Sequence, residues 1–229
     1  MKEFSIVSEY IKSSWVKSVR KRDNRKDFVL PFDFVPPCID GDLTDLYYWD
    51  TYFTNKGLIL DGLDNYAFNN IKNLEFCLNI FGCVPNMCRA NGADYASQPP
   101  LLVFMIDDYY EFSKDEEFLA DGFISLEKEY AFWESKRKLD NGLNRYGTNK
   151  LDYGDPSKAI SEYVKRCNAD LTGYSEGQII SLIVSKTAEG ESGEDHTPRF
   201  KNCASDIAPI DLNSYLCGFE RLMAKFREY

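Results

Sequence analysis

Three stretches of the chain combine residue types that can do chemistry. The first is Asp45-Leu46-Tyr47-Tyr48-Trp49-Asp50-Thr51-Tyr52-Phe53. The second is Val84-Pro85-Asn86-Met87-Cys88-Arg89, followed by Ser97-Gln98-Pro99-Pro100. The third is Gly190-Glu191-Ser192-Gly193-Glu194-Asp195-His196-Thr197-Pro198-Arg199-Phe200. Each joins carboxylates or amides to aromatics and rigid turns. A sugar site needs that mixture, because a sugar offers an apolar ring face to stack on and hydroxyls that seek hydrogen-bonding partners. The chain has 1 His, His196, so mechanisms built on two histidines are nearly excluded. Carboxylates are abundant, which makes acid/base work by Asp and Glu the best-supplied chemistry.

Length and composition narrow the field. The 229 residues carry 27 Lys plus Arg against 37 Asp plus Glu, a net charge of −10. A surface this acidic argues against nucleic acid and anionic membranes as partners, since both need a basic footprint. No apolar run is long enough to span a bilayer, and the opening Met-Lys-Glu-Phe-Ser lacks an apolar leader. Hydrophobic residues at 44% fit a globular chain. The 7 cysteines are Cys38, Cys77, Cys83, Cys88, Cys167, Cys203 and Cys217. Their number is odd and no two are spaced C-x-x-C, which speaks against zinc and against a disulfide framework. They read as buried thiols in a reducing compartment, and a cytoplasmic location follows. No cofactor and no metal site is expected: Asp40-Gly41-Asp42 has too few further oxygen ligands nearby for calcium.

The elements that must position those stretches read as helices. Apolar spacing predicts helices over 3–20, 48–60, 64–81, about 99–112, 115–136, 157–167, 176–188 and 208–228. Long loops rich in Gly, Pro, Asp and Asn fill 22–46, 82–98 and 189–206, with short links near 61–63 and 113–114. In an antiparallel array alternate connections fall at the same end, so the long loops should converge on one face. One all-α domain over 1–229 is the simplest account. On the residues alone, Trp49 and Asp50 also suit a core tryptophan and a helix N-cap. Asn86 and Gln98 also suit loop hydrogen bonding, and Asp195 a loop cap or surface charge.

Taken in order, the three stretches resemble the trehalase family and its inverting α-glucosidase relatives. Tyr48-Trp49-Asp50-Thr51-Tyr52-Phe53 is similar to a Tyr-Trp-Asp-Ser-Tyr-Phe signature. Pro85-Asn86 with Ser97-Gln98-Pro99-Pro100 resembles the family's Pro-Asn loop ending Ser-Gln-Pro-Pro. Glu191, Ser192, Gly193, Asp195, Arg199 and Phe200 resemble Glu-Ser-Gly-x-Asp with an Arg-aromatic pair. Pro209-Ile210-Asp211-Leu212-Asn213 resembles the Val-Asp-Leu-Asn turn.

The resemblance implies a partial α/α toroid, roughly the first half of a six-hairpin barrel, with long loops on one end. It also implies an inverting glycoside hydrolase acting on an α-linked glucoside. Such enzymes set two carboxyls about 6.5–9.5 Å apart across the scissile bond. Asp195 falls on the general acid, with Glu191 and Glu194 as like charges to raise its pKa. Trp49, Asp50, Asn86, Gln98, Gly193 and Glu191 fall on substrate-binding positions. Arg199 is expected to be an ion-pair partner holding the loop. The general base is implied downstream of the Asp-Leu-Asn turn, outside this chain.

Departures qualify the substrate. Family arginines that grip the second glucose of trehalose fall on Asp42 and Ala96, Glu194 replaces a Trp, and the nearest match to an Arg-Pro-Glu segment is Asp155-Pro156-Ser157. Other α-linked glucosides therefore suit the chain at least as well as trehalose. Two further readings follow from half a barrel. One is an inactive carbohydrate-binding remnant. The other is a helical interaction protein, or a homo-oligomer joined through exposed helix faces.

Overall fold

The computed structural model describes residues 2–22, 28–89, 96–149, 161, 164–165, 170–195 and 197–229. Among them are seven α-helices and no named strand: α1 (Lys2–Ser18), α2 (Tyr48–Leu60), α3 (Asp64–Phe81), α4 (Leu102–Ser113), α5 (Glu116–Lys136), α6 (Glu176–Glu191) and α7 (Ile210–Phe226). Two short 3-10 turns, Pro198–Phe200 and Ala204–Asp206, lie between α6 and α7. The expected helix at 157–167 lies outside the described residues, apart from 161, 164 and 165.

Two boundaries differ from the periodicity. The stretch from Glu189 was expected to be loop, but α6 continues through Glu191. Pro99 and Pro100 were expected in the first turn of a helix. They instead lie just before α4, whose N-cap is Leu101. The other ends obey local chemistry. Gly82 closes α3 at φ +75, a conformation a side chain resists. Ser175 and Gln178 form a capping box at α6, and Asp115 caps α5 by accepting from Phe118 N–H.

The helices pack in two layers. α2, α4 and α7 neighbour one another along an inner layer, with α3 and α5 packed behind them. Links 61–63 and 114–115 join the pairs at one end. The described parts of the long connections, 82–89 with 96–101, 137–149, and 192–195 with 197–209, lie at the other. They meet there: Tyr48 N–H donates to Asn86 O at 3.0 Å, and Arg145 Nη1 to Ser205 O at 2.6 Å. This is the one-ended gathering of long loops that the alternation of connection lengths implied.

The main core fills the gap between layers with Tyr48, Ile71, Leu74, Leu102, Met105, Ile106, Leu126 and Phe219. A second cluster lies beneath the loop end, with Cys83, Trp133, Tyr146, Ala188, Phe200 and Leu212. The apolar rows of α3 and α4 have a physical outlet in the main core, since burying such side chains is the main favourable term in folding. α1 is held differently. Trp15 packs over Gly57 and donates Nε1–H to Asp61 Oδ2 at 2.7 Å, while Phe4 stays 82% exposed. No described helix is long and apolar enough to cross a membrane.

Candidate functional site at the loop end

The N-terminus of α2 sits against the turn that follows α6. Gly193 adopts φ +75, and a Cβ there would lie 2.7 Å from Trp49 Cε2. Only a glycine gives the indole that approach. Trp49 also meets Phe53 in a T-shaped contact, with ring centroids 6.1 Å apart. Trp49 N–H donates to Gln98 Oε1 at 3.0 Å, which ties the first helical turn to the segment before α4. Trp49 is half-buried, so part of its ring remains open to solvent.

Gly190 brings the second stretch to the third. Asn86 Nδ2 donates to Gly190 O at 3.4 Å, and an ideal Cβ on Gly190 would sit 3.5 Å from Asp195 Oδ1. Asn86 is itself fixed by backbone bonds to Tyr48 N–H and from its own N–H to Ala96 O, each 3.0 Å. Trp49, Asn86, Gln98, Gly193 and Asp195 are thus connected by direct contacts, with the Asp195 side chain exposed. Asp50 shares the first turn of α2 and is half-buried; burial raises its carboxyl above the usual value. It is the third residue of the helix behind Tyr47, so it does not act as the N-cap. Its charge acts on the Tyr47 phenol, together with Asp45 and Asp42, and no direct contact ties it to Asp195.

Glu191 was expected to touch substrate, and the structure places it elsewhere. Its carboxylate is fully buried and takes four hydrogen bonds. Arg137 donates Nε–H to Oε2 and Nη2–H to Oε1, both at 2.7 Å. Ser97 N–H reaches Oε1 at 2.8 Å and Gly147 N–H reaches Oε2 at 2.7 Å. Those donors fill the carboxylate, so it has no free lone-pair direction for a sugar hydroxyl. Nor does it press an unpaired charge on Asp195, because Arg137 neutralises it. Glu194 is likewise paired, with Arg199 Nη1 at 2.8 Å. The like-charge environment expected around Asp195 from these two glutamates is therefore absent.

Arg199 fulfils its expected part in the structure, bridging Glu194 and Asp211, the latter at 2.5 Å. Asp211 also accepts from Tyr146 Oη at 3.1 Å, and burial followed by Asp211 pushes that phenol far up. Asn213 clamps Asn144 by two bonds of 2.9 Å. So the Asp-Leu-Asn turn holds the 137–149 connection in place. His196 and the segment 155–157 lie outside the described residues. Among the described residues no three His, Cys, Asp or Glu side chains cluster in a way that could hold a metal.

Sequence reasoning missed two residues that shape the site. Arg137 stands in Lys136-Arg137-Lys138, a run that looks like the solvated end of a helix. Glu129 follows Lys128 on a helix that reads as half-exposed, yet it is completely buried against the Tyr48 hydroxyl. The partner in each case is far away in sequence, and nothing local announces it.

Known proteins are similar to this chain in sequence and fold. The trehalase family profile matches residues 3–229. The cytosolic neutral trehalase of Neurospora crassa is 31% identical over 84% of this chain and 28% of its own length. Human trehalase is 31% identical over 81% of this chain and 34% of its own length. The chain thus spans about a third of the length of these curated relatives. In structure it is similar to the neutral trehalase of Saccharomyces cerevisiae, with a TM-score of 0.72 at 24% identity, covering 96% of this chain and 46% of that one. That likeness assigns the helical layers to part of an α/α toroid. With the profile spanning nearly every residue, the chain belongs to the trehalase family.

Proposed function

We propose that this chain is the acid-bearing portion of an inverting glycoside hydrolase that acts on an α-linked glucoside. The observation that carries the reading is the junction at Gly190 and Gly193. There a half-buried indole, the half-buried Asn86 amide and an exposed carboxyl are linked through the glycine turn, with the buried Gln98 amide bonded to Trp49 N–H. Trp49 is the platform for the apolar face of the sugar. Asn86 and the Nε2 donors of Gln98 meet hydroxyls, since the Gln98 oxygen is engaged by Trp49 N–H. Asp50 accepts hydroxyl protons.

Asp195 is the general acid and protonates the leaving-group oxygen. A general acid must hold its proton near working pH. The water-activating carboxylate belongs to the part of the relatives' length that this chain does not span. The substrate is a small neutral carbohydrate, and the second sugar is left open by Asp42 and Ala96, where trehalases hold it with arginine. The cytosol is the proposed location, as for the Neurospora relative, whose name places it there.

The test is Asp195→Asn in the polypeptide as its own cell makes it. Glucose release would be followed from trehalose and a panel of other α-glucosides. Loss of at least a thousandfold in kcat, with the anomeric configuration of the wild-type product inverted by proton NMR, is expected. An unchanged rate removes Asp195 as the acid. Sugar binding without any turnover by the wild type favours the carbohydrate-binding remnant instead.

A further inference from the structure

The buried carboxylate of Glu191 joins the end of α5, the connection after it and the segment before α4 to the acid-bearing turn, and this holds whether or not it ever meets a sugar. Its four donor groups come from three residues: Arg137 at the end of α5, which gives two, Gly147 in the following connection, and Ser97, which adjoins Gln98. Glu191 itself precedes Gly193 by two residues and Asp195 by four. A third branch runs from Arg137 Nη2 to Asn149 Oδ1 at 2.6 Å, and from Asn149 Nδ2 to Cys83 Sγ at 3.4 Å, just before Asn86.

Stability alone is a poor explanation of this pair. A buried ion pair is often no more stabilising than apolar side chains of the same volume. Glu191 also places a negative charge on the last turn of α6, the unfavourable end of the helix dipole. What the pair does supply is direction, since a bidentate guanidinium fixes both distance and plane. The fit is tight. A Cβ on Gly147 would lie 3.0 Å from Arg137 Nε, so a side chain there would press the guanidinium out of its place by a few tenths of an ångström. The guanidinium also stacks on Phe132, with Cζ 4.8 Å from the ring centre.

We propose that Arg137 and Glu191 are positioning residues, whose ion pair sets the acid-bearing turn at Gly193–Asp195 in register with Gln98 and Asn86. The catalytic part of this inference rests on the hydrolase reading; the coupling of the loops does not. Arg137→Lys keeps the charge but loses the fork, and Gly147→Ala keeps both charges but displaces the guanidinium. Both would be made in the polypeptide as its own cell makes it, so that one remains if the other fails to fold.

Amide hydrogen exchange is the first readout. Exchange at Ser97, Gly193 and Glu194 should quicken together by at least tenfold, while amides of α3 between 71 and 78 stay within twofold of wild type. Turnover is the second: kcat should fall at least tenfold with KM within threefold. An exchange increase confined to residues beside the substitution, or equal across α3 and the loops, overturns the proposal, because the pair would then be local or merely stabilising. Unchanged kcat in a folded variant overturns the catalytic part. A wild-type protein that turns over no α-glucoside defeats the hydrolase reading separately, and the exchange result still decides whether the pair couples the loops.

Discussion

The indole of Trp49 rests on Gly193 so closely that a Cβ at position 193 would sit 2.7 Å from its Cε2. Gly193 also holds φ +75, where a non-glycine backbone is strained by about 1 kcal/mol. Gly193→Ala therefore meets two penalties, the backbone strain and an overpacked contact that typically costs 1–3 kcal/mol. The expected result is a loss of about 2–3 kcal/mol, a drop in Tm of several degrees for a chain this long. Glucose affinity should fall with it, because the ring must tilt. Calorimetry on the folded variant checks this; wild-type Tm and affinity together would mean the ring has room to move.

Much of the scaffold was legible in the sequence because its signals are local. Gly82 ends α3, Asp115 starts α5, and the apolar rows of α3 and α5 have the period of a helix facing a core. The gathering of the long loops followed from alternating connection lengths. The interior of the site was not legible, and Glu191 shows why. Gly190, Ser192 and Gly193 all speak locally for a loop, yet α6 runs through Glu191. The carboxylate there is claimed by Arg137, Gly147 and Ser97, none of them its neighbour in sequence. A charge in a polar string looks solvated until its partner is known. Asp195 and Trp49 were found by motif, whereas the residues that orient them carry no motif at all.

Asp50 leads to a pH dependence of binding. Burial raises its carboxyl above the usual 3.8, and among the described residues no cation pairs with it. A carboxylate accepts hydrogen bonds from two sugar hydroxyls, while the protonated form surrenders part of that capacity. Sugar affinity should thus be full at neutral pH and fall as pH drops toward the raised value. Asp50→Asn should bind more weakly, by about tenfold, and lose the acid-side dependence. Titration calorimetry with glucose at several pH values reads both. A variant that keeps the wild-type pH profile would move the effect to another group.

α1 depends on a small anchor. Trp15 Nε1–H donates to Asp61 Oδ2 at 2.7 Å, and its ring lies over Gly57, where an added Cβ would come within 2.9 Å. Asp61→Ala leaves a part-buried indole N–H without that acceptor and should cost about 1–2 kcal/mol. Gly57→Ala pushes on the ring and should loosen α1 further. Limited proteolysis is the suitable measurement: both variants should be cut within Lys2–Ser18 faster than wild type, with the α2–α5 core cut at the wild-type rate. Equal cutting of α1 in all three proteins would mean that other contacts hold it.

Glu129 is bound to the hydroxyl of Tyr48, the residue before Trp49, and that hydroxyl also accepts from Leu102 N–H at 2.9 Å. Burial pushes the Glu129 carboxyl up to about 7 from 4.5, against the opposing effect of the Tyr48 hydrogen bond. Its Oε2 and Trp133 Nε1 have no hydrogen-bond partner among the described residues. The folded protein therefore binds this proton more tightly than the unfolded chain does. Stability contributed by the group is fully present below the unfolded value and is lost as pH rises through about 7, above which the carboxylate is charged in both states. Glu129→Gln keeps a polar group against Tyr48 but cannot ionise. Relative to wild type it should gain stability steadily between about pH 5 and 7 and level off above, the full difference being about 3 kcal/mol at most. Thermal melts of both proteins across that range give the result. A gap that does not change with pH would show that Glu129 titrates alike in the folded and unfolded chain. In that case the Tyr48 hydroxyl is held by an ordinary carboxylate.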